Sequence, residues 1–299
     1  MVSYLLATLV IAGIYAILAL GLNVIWGLGG MVNLGLAGFF AVGAYTSALS
    51  SIGGLPIWLA CILAMVIAGS IGALLARLTL NLRGDYLAIV TLGFGELVRL
   101  IAANELWLTN GSDGISGIPG PWRGDLTPLQ FNMLFAVLIV VLVVTIWWLT
   151  TNLRKSPMGR ALRALADDET AAAVAGKPVR KMKVQAFALG SAVIGFGGAL
   201  YGHYFSYIAP DLFRPLIAIY IFLAVTAGGT GRPSGAVLGA IVVIAVLEGT
   251  RYFGDVIPYL SGVKVAALRE ILVGSLLVVI MRLRPEGLIP ARPTTRANI

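Results

Sequence analysis

A chain of 299 residues that is 59% hydrophobic and only 11% charged, with a mean hydropathy of +0.95, is too apolar for a water-soluble globule and reads as a polytopic membrane protein. Its net charge of +8 sits mostly between or after apolar segments, which points to membrane orientation and away from a nucleic-acid groove. One cysteine, Cys61, inside an apolar run excludes a disulfide framework and a cysteine metal site.

No Lys or Arg precedes the first apolar run, and it continues without an evident cleavage site, so it is read as an uncleaved span. Arg77 is the first charged side chain; before it, turn residues at Gly27 to Gly30 and Ser50 to Pro56 alone divide the chain. The predicted spans are 4–26, 31–50, 55–78, 85–103, 129–151, 184–207, 213–231, 235–253 and 264–282. Each has the length that a rise of about 1.5 Å per residue needs to cross roughly 30 Å of hydrocarbon. The expected fold is therefore all-α: a single transmembrane domain over 1–290 with an external loop at 104–128, an internal loop at 152–183 and a tail at 291–299.

Two stretches look broken. In GLGGMVNLGLAGFFAVGAY, residues 27–45, and AGGTGRPSGAVLGA, residues 227–240, a Gly-Gly pair precedes a helix rich in glycine. Their positions in the two halves suggest a weak internal duplication, and paired glycine-interrupted segments are where unwound backbone can meet a solute at membrane depth. Gly30, Asn33, Gly35, Tyr45 and Gly229 are the path candidates from these stretches. Close helix packing is the competing explanation, and it is preferred for the GxxxG pairs Gly198–Gly202 and Gly235–Gly239. Asn33 itself either caps backbone or meets solute.

Charges inside spans are expensive and demand partners. Glu96 with Arg99 and Glu248 with Arg251 stand at i, i+3 on one helical face each, and Arg269 adjoins Glu270. Glu96 and Arg99 are either an outer vestibule for a zwitterionic solute or structural pairs. His203, among Tyr201, Tyr204, Phe205 and Tyr207, is expected in an interfacial aromatic belt, as are Trp26, Trp58, Trp107, Trp147 and Trp148. The loop at 104–128, rich in Gly and Pro, is either a surface for a soluble partner or a linker.

The long polar run is RKSPMGRALRALADDETAAAVAGKPVRKMK, residues 154–183. Ser156 before Pro157 signals a helix start, and Asp167, Asp168 and Glu169 signal a second one; Gly176 before Pro178 signals its stop. At 100° per residue, Met158, Leu162, Leu165, Ala172, Ala173 and Gly176 share a face that would leave room for a partner's groove, with Arg160, Arg163 and Asp167 opposite. This predicts a docking element of two short helices, against the plainer alternative of a solvated loop made helical by alanine. Placing it inside puts Arg77, Arg83, Arg232, Arg282, Arg284, Arg292 and Arg296 on the same side, with the N-terminus out and the C-terminus in.

Enzyme chemistry is missing. AAAVAGKPV lacks the first glycine and the hydroxyl of a phosphate loop, no HExxH occurs, one histidine excludes a multi-histidine metal site, and Arg232-Pro233-Ser234-Gly235 fails the GxSG pattern. No cofactor or metal is expected on this chain.

Four strings in order carry a resemblance over nearly the whole chain: residues 21–49, LRGDYLAIVTLGFGELVRLIAAN at 82–104, residues 156–202 and GGTGRPSGAVLGA at 228–240. They resemble the permease subunits of branched-chain amino acid ABC importers, of the type with the larger external loop. The resemblance implies the all-helical type II importer fold and a multi-pass location in a bacterial or archaeal cytoplasmic (inner) membrane. It implies that Gly159 to Gly176, with Gly159, Arg160, Leu162, Arg163, Leu165, Asp167, Asp168, Glu169, Ala172, Ala173 and Gly176, form the coupling helices of an ATPase groove. It also implies a second permease subunit, two ATPase subunits holding ATP and Mg, and a solute-binding protein. Leu36 stands where the family often has histidine, which bears on substrate: urea or short amides remain an alternative cargo, and an ATPase-independent channel an alternative mechanism.

Overall fold

The computed structural model describes residues 2–82, 84–256, 267, 270–275, 278–279, 282 and 287–289, with the side chains of 250–256 excepted. The helices are α1 (Val2–Leu22), α2 (Leu36–Ile52), α3 (Ile57–Leu78), α4 (Asp85–Asn104), α5 (Leu106–Thr109) and α6 (Pro128–Lys155), then α7 (Pro157–Asp167), α8 (Glu169–Val174), α9 (Val179–Phe205), α10 (Pro215–Gly228) and α11 (Pro233–Val256). Six helical segments among the described residues are long and apolar enough to cross a membrane, and Leu36–Ile52 and Pro233–Gly249 are shorter apolar helices. About half of the ninth predicted span, together with Arg83, Arg269, Arg284, Arg292, Arg296, the 291–299 tail and the side chain of Arg251, lies outside the described residues.

The second predicted span, 31–50, is corrected. α1 continues as a π-helical turn, Asn23–Leu28, after which residues 29–35 have no regular structure and α2 begins only at Leu36. Hydropathy could not see this break, because Met31, Val32 and Leu34 are as apolar as a helix interior. The seventh predicted span, 213–231, likewise shortens to α10, preceded by a 3₁₀ turn, Pro210–Phe213.

α9 is the central helix, packed against α1, α2 and α3, while α10 and α11 pack on each other and on α1. Glycine makes these approaches possible: Gly43 of α2 lies on the backbone of Gly195, Gly198 on Phe40 and Ala44, and Gly21 against Gly190. Without a hydrophobic drive between helices in lipid, such close backbone contact supplies much of the association. α4 and α6 are outer helices, with only 22% of the apolar window of each buried.

At one end of the bundle the 104–128 loop is tied down. Its strand β1 (Ile115–Ser116) pairs antiparallel with β2 (Tyr207–Ile208). Arg123 donates to the Tyr204 carbonyl and lies 4.3 Å from the Phe131 ring centroid. The belt reading of His203 is overturned: its Nε2 lies 2.7 Å from Ser47 Oγ and its Nδ1 2.7 Å from the Pro119 carbonyl, so the buried ring stitches α2, α9 and the loop together. Trp26 is half-buried and stacked on Phe222 with centroids 4.1 Å apart. Trp58, Trp107 and Trp148 are exposed as a belt requires.

Candidate functional site

The other end of the bundle carries the capped polar element. Ser156 Oγ accepts from the Gly159 amide at 3.2 Å, with Pro157 opening α7. Asp168, extended at φ −154° and ψ 109°, ends α7 and caps α8, its Oδ1 accepting from the amides of Thr170 (2.8 Å) and Ala171 (3.0 Å). Gly176, at φ +73°, supplies the left-handed turn that ends the element. Of the three acidic residues expected at the second start, Asp168 alone is the cap.

The single face predicted for a partner's groove does not exist as one surface. Leu162, Leu165 and Ala172 are buried in this chain's own body, as is Gly159, whereas Ala173 and Gly176 are exposed. The extended backbone at Asp168 breaks the helical phase, so a 100° count carried from α7 into α8 fails. What faces outward is Arg160, Ala164, Asp167, Asp168, Ala171, Ala173, Val174 and Ala175, with Arg163 half-buried and Val174 85% exposed.

The element is joined to the bundle by a residue that the sequence reading missed. Lys183, at the start of α9, places Nζ 2.8 Å from Glu169 Oε1, and donates more weakly to the Leu80 carbonyl at 3.4 Å. One ammonium therefore connects α8, the α3–α4 turn and α9. Beside it, the left-handed Gly30 of the irregular segment lies against Ala166 of α7. A cavity of about 210 Å³ opens there between Gly29, Gly30, Leu165, Glu169 and Lys183.

Both broken stretches are confirmed as breaks, and they touch. The Gly231 amide, in the α10–α11 turn, donates to Asn23 Oδ1 at 2.9 Å, with Gly27 packed on the Gly231 backbone. Asn33, 1% exposed, accepts from the Gly35 amide at 2.9 Å, the backbone-capping role weighed from the sequence. Thr91 of α4 accepts from the Leu34 amide at 3.1 Å, and Gly35 lies against the Thr91 carbonyl. The irregular segment is thus satisfied by side chains of its neighbours, as buried backbone requires. Among the described residues, the Nδ2 groups of Asn23 and Asn33 and the Tyr45 hydroxyl are buried without a hydrogen-bond partner. Asn33→Ala is expected to leave the Gly35 amide unpaired and to lower the melting temperature of the purified permease by several degrees, for a cost of about 1–3 kcal/mol; a thermal melt in detergent checks it.

The path candidates are not gathered at one place. Gly30 lies at α7, Asn33 and Gly35 at Thr91, and Tyr45 beside Phe213. Gly229 (φ +112°) packs on Gly287. Arg99 pairs with Glu96, Nη2 to Oε1 at 2.6 Å, and reaches Asp211 at 3.8 Å, while Asp211 pairs with Arg214 at 3.0 Å. Two positive and two negative groups therefore alternate across α4 and the 3₁₀ turn. The i, i+3 pairing expected for Glu248 and Arg251 falls on a side chain outside the described residues; Tyr4 donates to Glu248 Oε2 at 2.8 Å. A roomier cavity of about 580 Å³ lies between α3, α6 and α9 near Trp58, Phe135 and Leu138, but its walls are apolar and away from both breaks. Among the described residues no cluster of His, Cys, Asp or Glu suits a metal.

Residues 4–281 match the family described as "Branched-chain amino acid transport system / permease component". The chain is 35% identical to the high-affinity branched-chain amino acid transport system permease protein LivM of Escherichia coli K12, over 93% of this chain and 68% of that protein. It is 29% identical to the probable branched-chain amino acid transport permease protein LivM of Methanocaldococcus jannaschii, over 94% and 92%. It is 26% identical to the high-affinity branched-chain amino acid transport system permease protein LivH of Salmonella typhimurium, over 92% and 91%. No solved structure matches.

Proposed function

Because this chain belongs to the branched-chain amino acid transport permease family and is a multi-pass helical membrane protein, we propose that it is the membrane subunit of an ATP-driven importer for leucine, isoleucine and valine. It spans the cytoplasmic (inner) membrane nine times, N-terminus out and C-terminus in, with α7 and α8 in the cytoplasm. A second permease subunit, two ATPase subunits carrying ATP and Mg, and a solute-binding protein on the outer side complete the transporter. This chain hydrolyses nothing itself. The observation that carries the reading is the α7–α8 element: capped at both starts, rooted by Leu162, Leu165 and Ala172, and presenting the almost bare Val174 among alanines. An apolar side chain so exposed, on an element so firmly held, fits a knob for a partner's groove.

Motion of that knob would pass to the irregular segment through Ala166 on Gly30 and through Lys183. Solute would be handed in near the alternating charges of Glu96, Arg99, Asp211 and Arg214, which match a zwitterion. Coupling requires two bundle states that the ATPase binds with different affinity.

Val174→Asp touches nothing in the bundle. It is expected to abolish solute-stimulated ATP hydrolysis in the reconstituted transporter while the permease remains inserted and folded. Hydrolysis within about twofold of the parent, well under 1 kcal/mol, overturns the coupling role. Uptake of leucine, isoleucine and valine measured beside urea and short amides, with the cognate solute-binding protein, tests the cargo.

A further inference from the structure

Three arginines from separate elements converge at the α7–α8 end, and among the described residues none of them has an ion-pair partner. Arg154 lies in the last turn of α6, Arg163 in α7 and Arg232 in the α10–α11 turn. The fold brings them together for stated reasons. Gly159 packs on the backbone of Leu153 and Arg154, which folds α7 back on the end of α6. The Gly231–Asn23 hydrogen bond holds the α10–α11 turn at the end of α1, which α7 also contacts.

The Arg163 and Arg232 charges both act on the Arg154 guanidinium. Among the described residues, the Nε of each of the three is buried with no hydrogen-bond partner and none of them forms an ion pair. Two neighbouring cations have partners of their own: Lys183 has Glu169, and Arg160 donates to the Lys155 carbonyl at 2.8 Å. Three partly desolvated like charges repel one another and cost free energy unless an anion joins them.

We propose that Arg154, Arg163 and Arg232 hold the phosphate of an anionic phospholipid from the cytoplasmic leaflet. Guanidinium forks match phosphate oxygens in pairs, and basic pockets between membrane helices on the cytoplasmic side suit such headgroups. Depth selects lipid over an ATPase carboxylate: Trp147 and Trp148, on the outer helix α6, face outward less than two turns before Arg154, at the level of a headgroup belt. The leaflet rests on the orientation proposed above; the site itself does not. Because Arg163 belongs to α7, a bound lipid would brace the same helix whose outward residues meet the ATPase.

The test is lipid retention by the assembled transporter, purified from membranes containing phosphatidylcholine, phosphatidylglycerol and cardiolipin and read by native mass spectrometry. The parent should retain anionic lipid. Each of Arg154→Gln, Arg163→Gln and Arg232→Gln should lower retention by roughly fivefold, the worth of one cation at a charged membrane surface. Arg160→Gln, on the exposed side of α7, should retain lipid like the parent. Equal retention by the parent and the triple variant overturns the site. So does a triple variant that keeps its lipid but sheds its ATPase subunits, since a partner carboxylate then fills the cluster. Lipid retention needs no ATP turnover, so failure here is separable from failure of the coupling reading.

Discussion

Lys183→Met is expected to cut solute-stimulated ATP hydrolysis of the assembled transporter by more than tenfold and to destabilise the isolated permease measurably. Lys183 is buried and sits 2.8 Å from Glu169, so its loss removes the ammonium that ties Glu169 into the junction of α8, α9 and the α3–α4 turn. Removing one member of a buried pair costs about 3–5 kcal/mol. The Glu169 side chain is 29% exposed and recovers some hydration, which lowers the expectation to about 2 kcal/mol. Glu169→Lys should do comparable harm by setting two ammonium groups together. The exchange, Glu169→Lys with Lys183→Glu, should restore part of both losses, because the pair term returns even in reversed order. A double-mutant cycle on thermal melts of the permease and on ATPase rates of the complex measures it. If Lys183→Met hydrolyses ATP like the parent, the junction carries no coupling.

Gly43→Val is expected to prevent assembly of the bundle. A side chain at Gly43 would enter the Gly195 backbone of the central helix, and Gly198 faces Phe40 and Ala44 one turn away, so α2 and α9 could meet only by separating along their length. Overpacking of side chains costs about 1–3 kcal/mol, and rigid backbone on both sides puts this case at or above that range. The variant should give no monodisperse permease on size exclusion in detergent. Gly93→Val is the control: a Cβ there meets nothing within 4 Å, and the change should stay within about 0.5 kcal/mol. Similar behaviour of the two variants would sink the close-packing account of α2 and α9.

The junction and the glycine contact differ in how they could be read in advance. Lys183 stands as one of four basic residues around the start of α9, with nothing in its spacing to single it out; its partner Glu169 lies in a different helix, and the third group it touches is the Leu80 carbonyl. Gly43 is one of 37 glycines, and the sequence does not say which of them meet backbone and which meet open space. Asn23 offered a signal that went unused: a polar side chain in an apolar span, a few residues before Gly-Gly, is a plausible holder of freed backbone, and Gly231 is what it holds. Thr91 offered none, because threonine in an apolar helix satisfies itself on the preceding turn, as it also does here through the Ala88 carbonyl.

By itself the sequence determined the membrane class, the apolar segments, a capped helix start at Ser156 and a second one within Asp167 to Glu169, the stop at Gly176 and the two glycine breaks. These depend on hydropathy over some 20 residues or on hydrogen bonds spanning three, and both are local. The tertiary structure alone decided that the irregular segment starts at Gly29 and α2 only at Leu36, and that the two breaks meet at Asn23 and Gly231. It alone turned Leu162 and Leu165 inward, buried His203 and gathered Arg154, Arg163 and Arg232. Each of these follows from which helices lie side by side, and in lipid that is set by backbone shape and polar satisfaction at contacts distant in sequence, which no periodicity along the chain records.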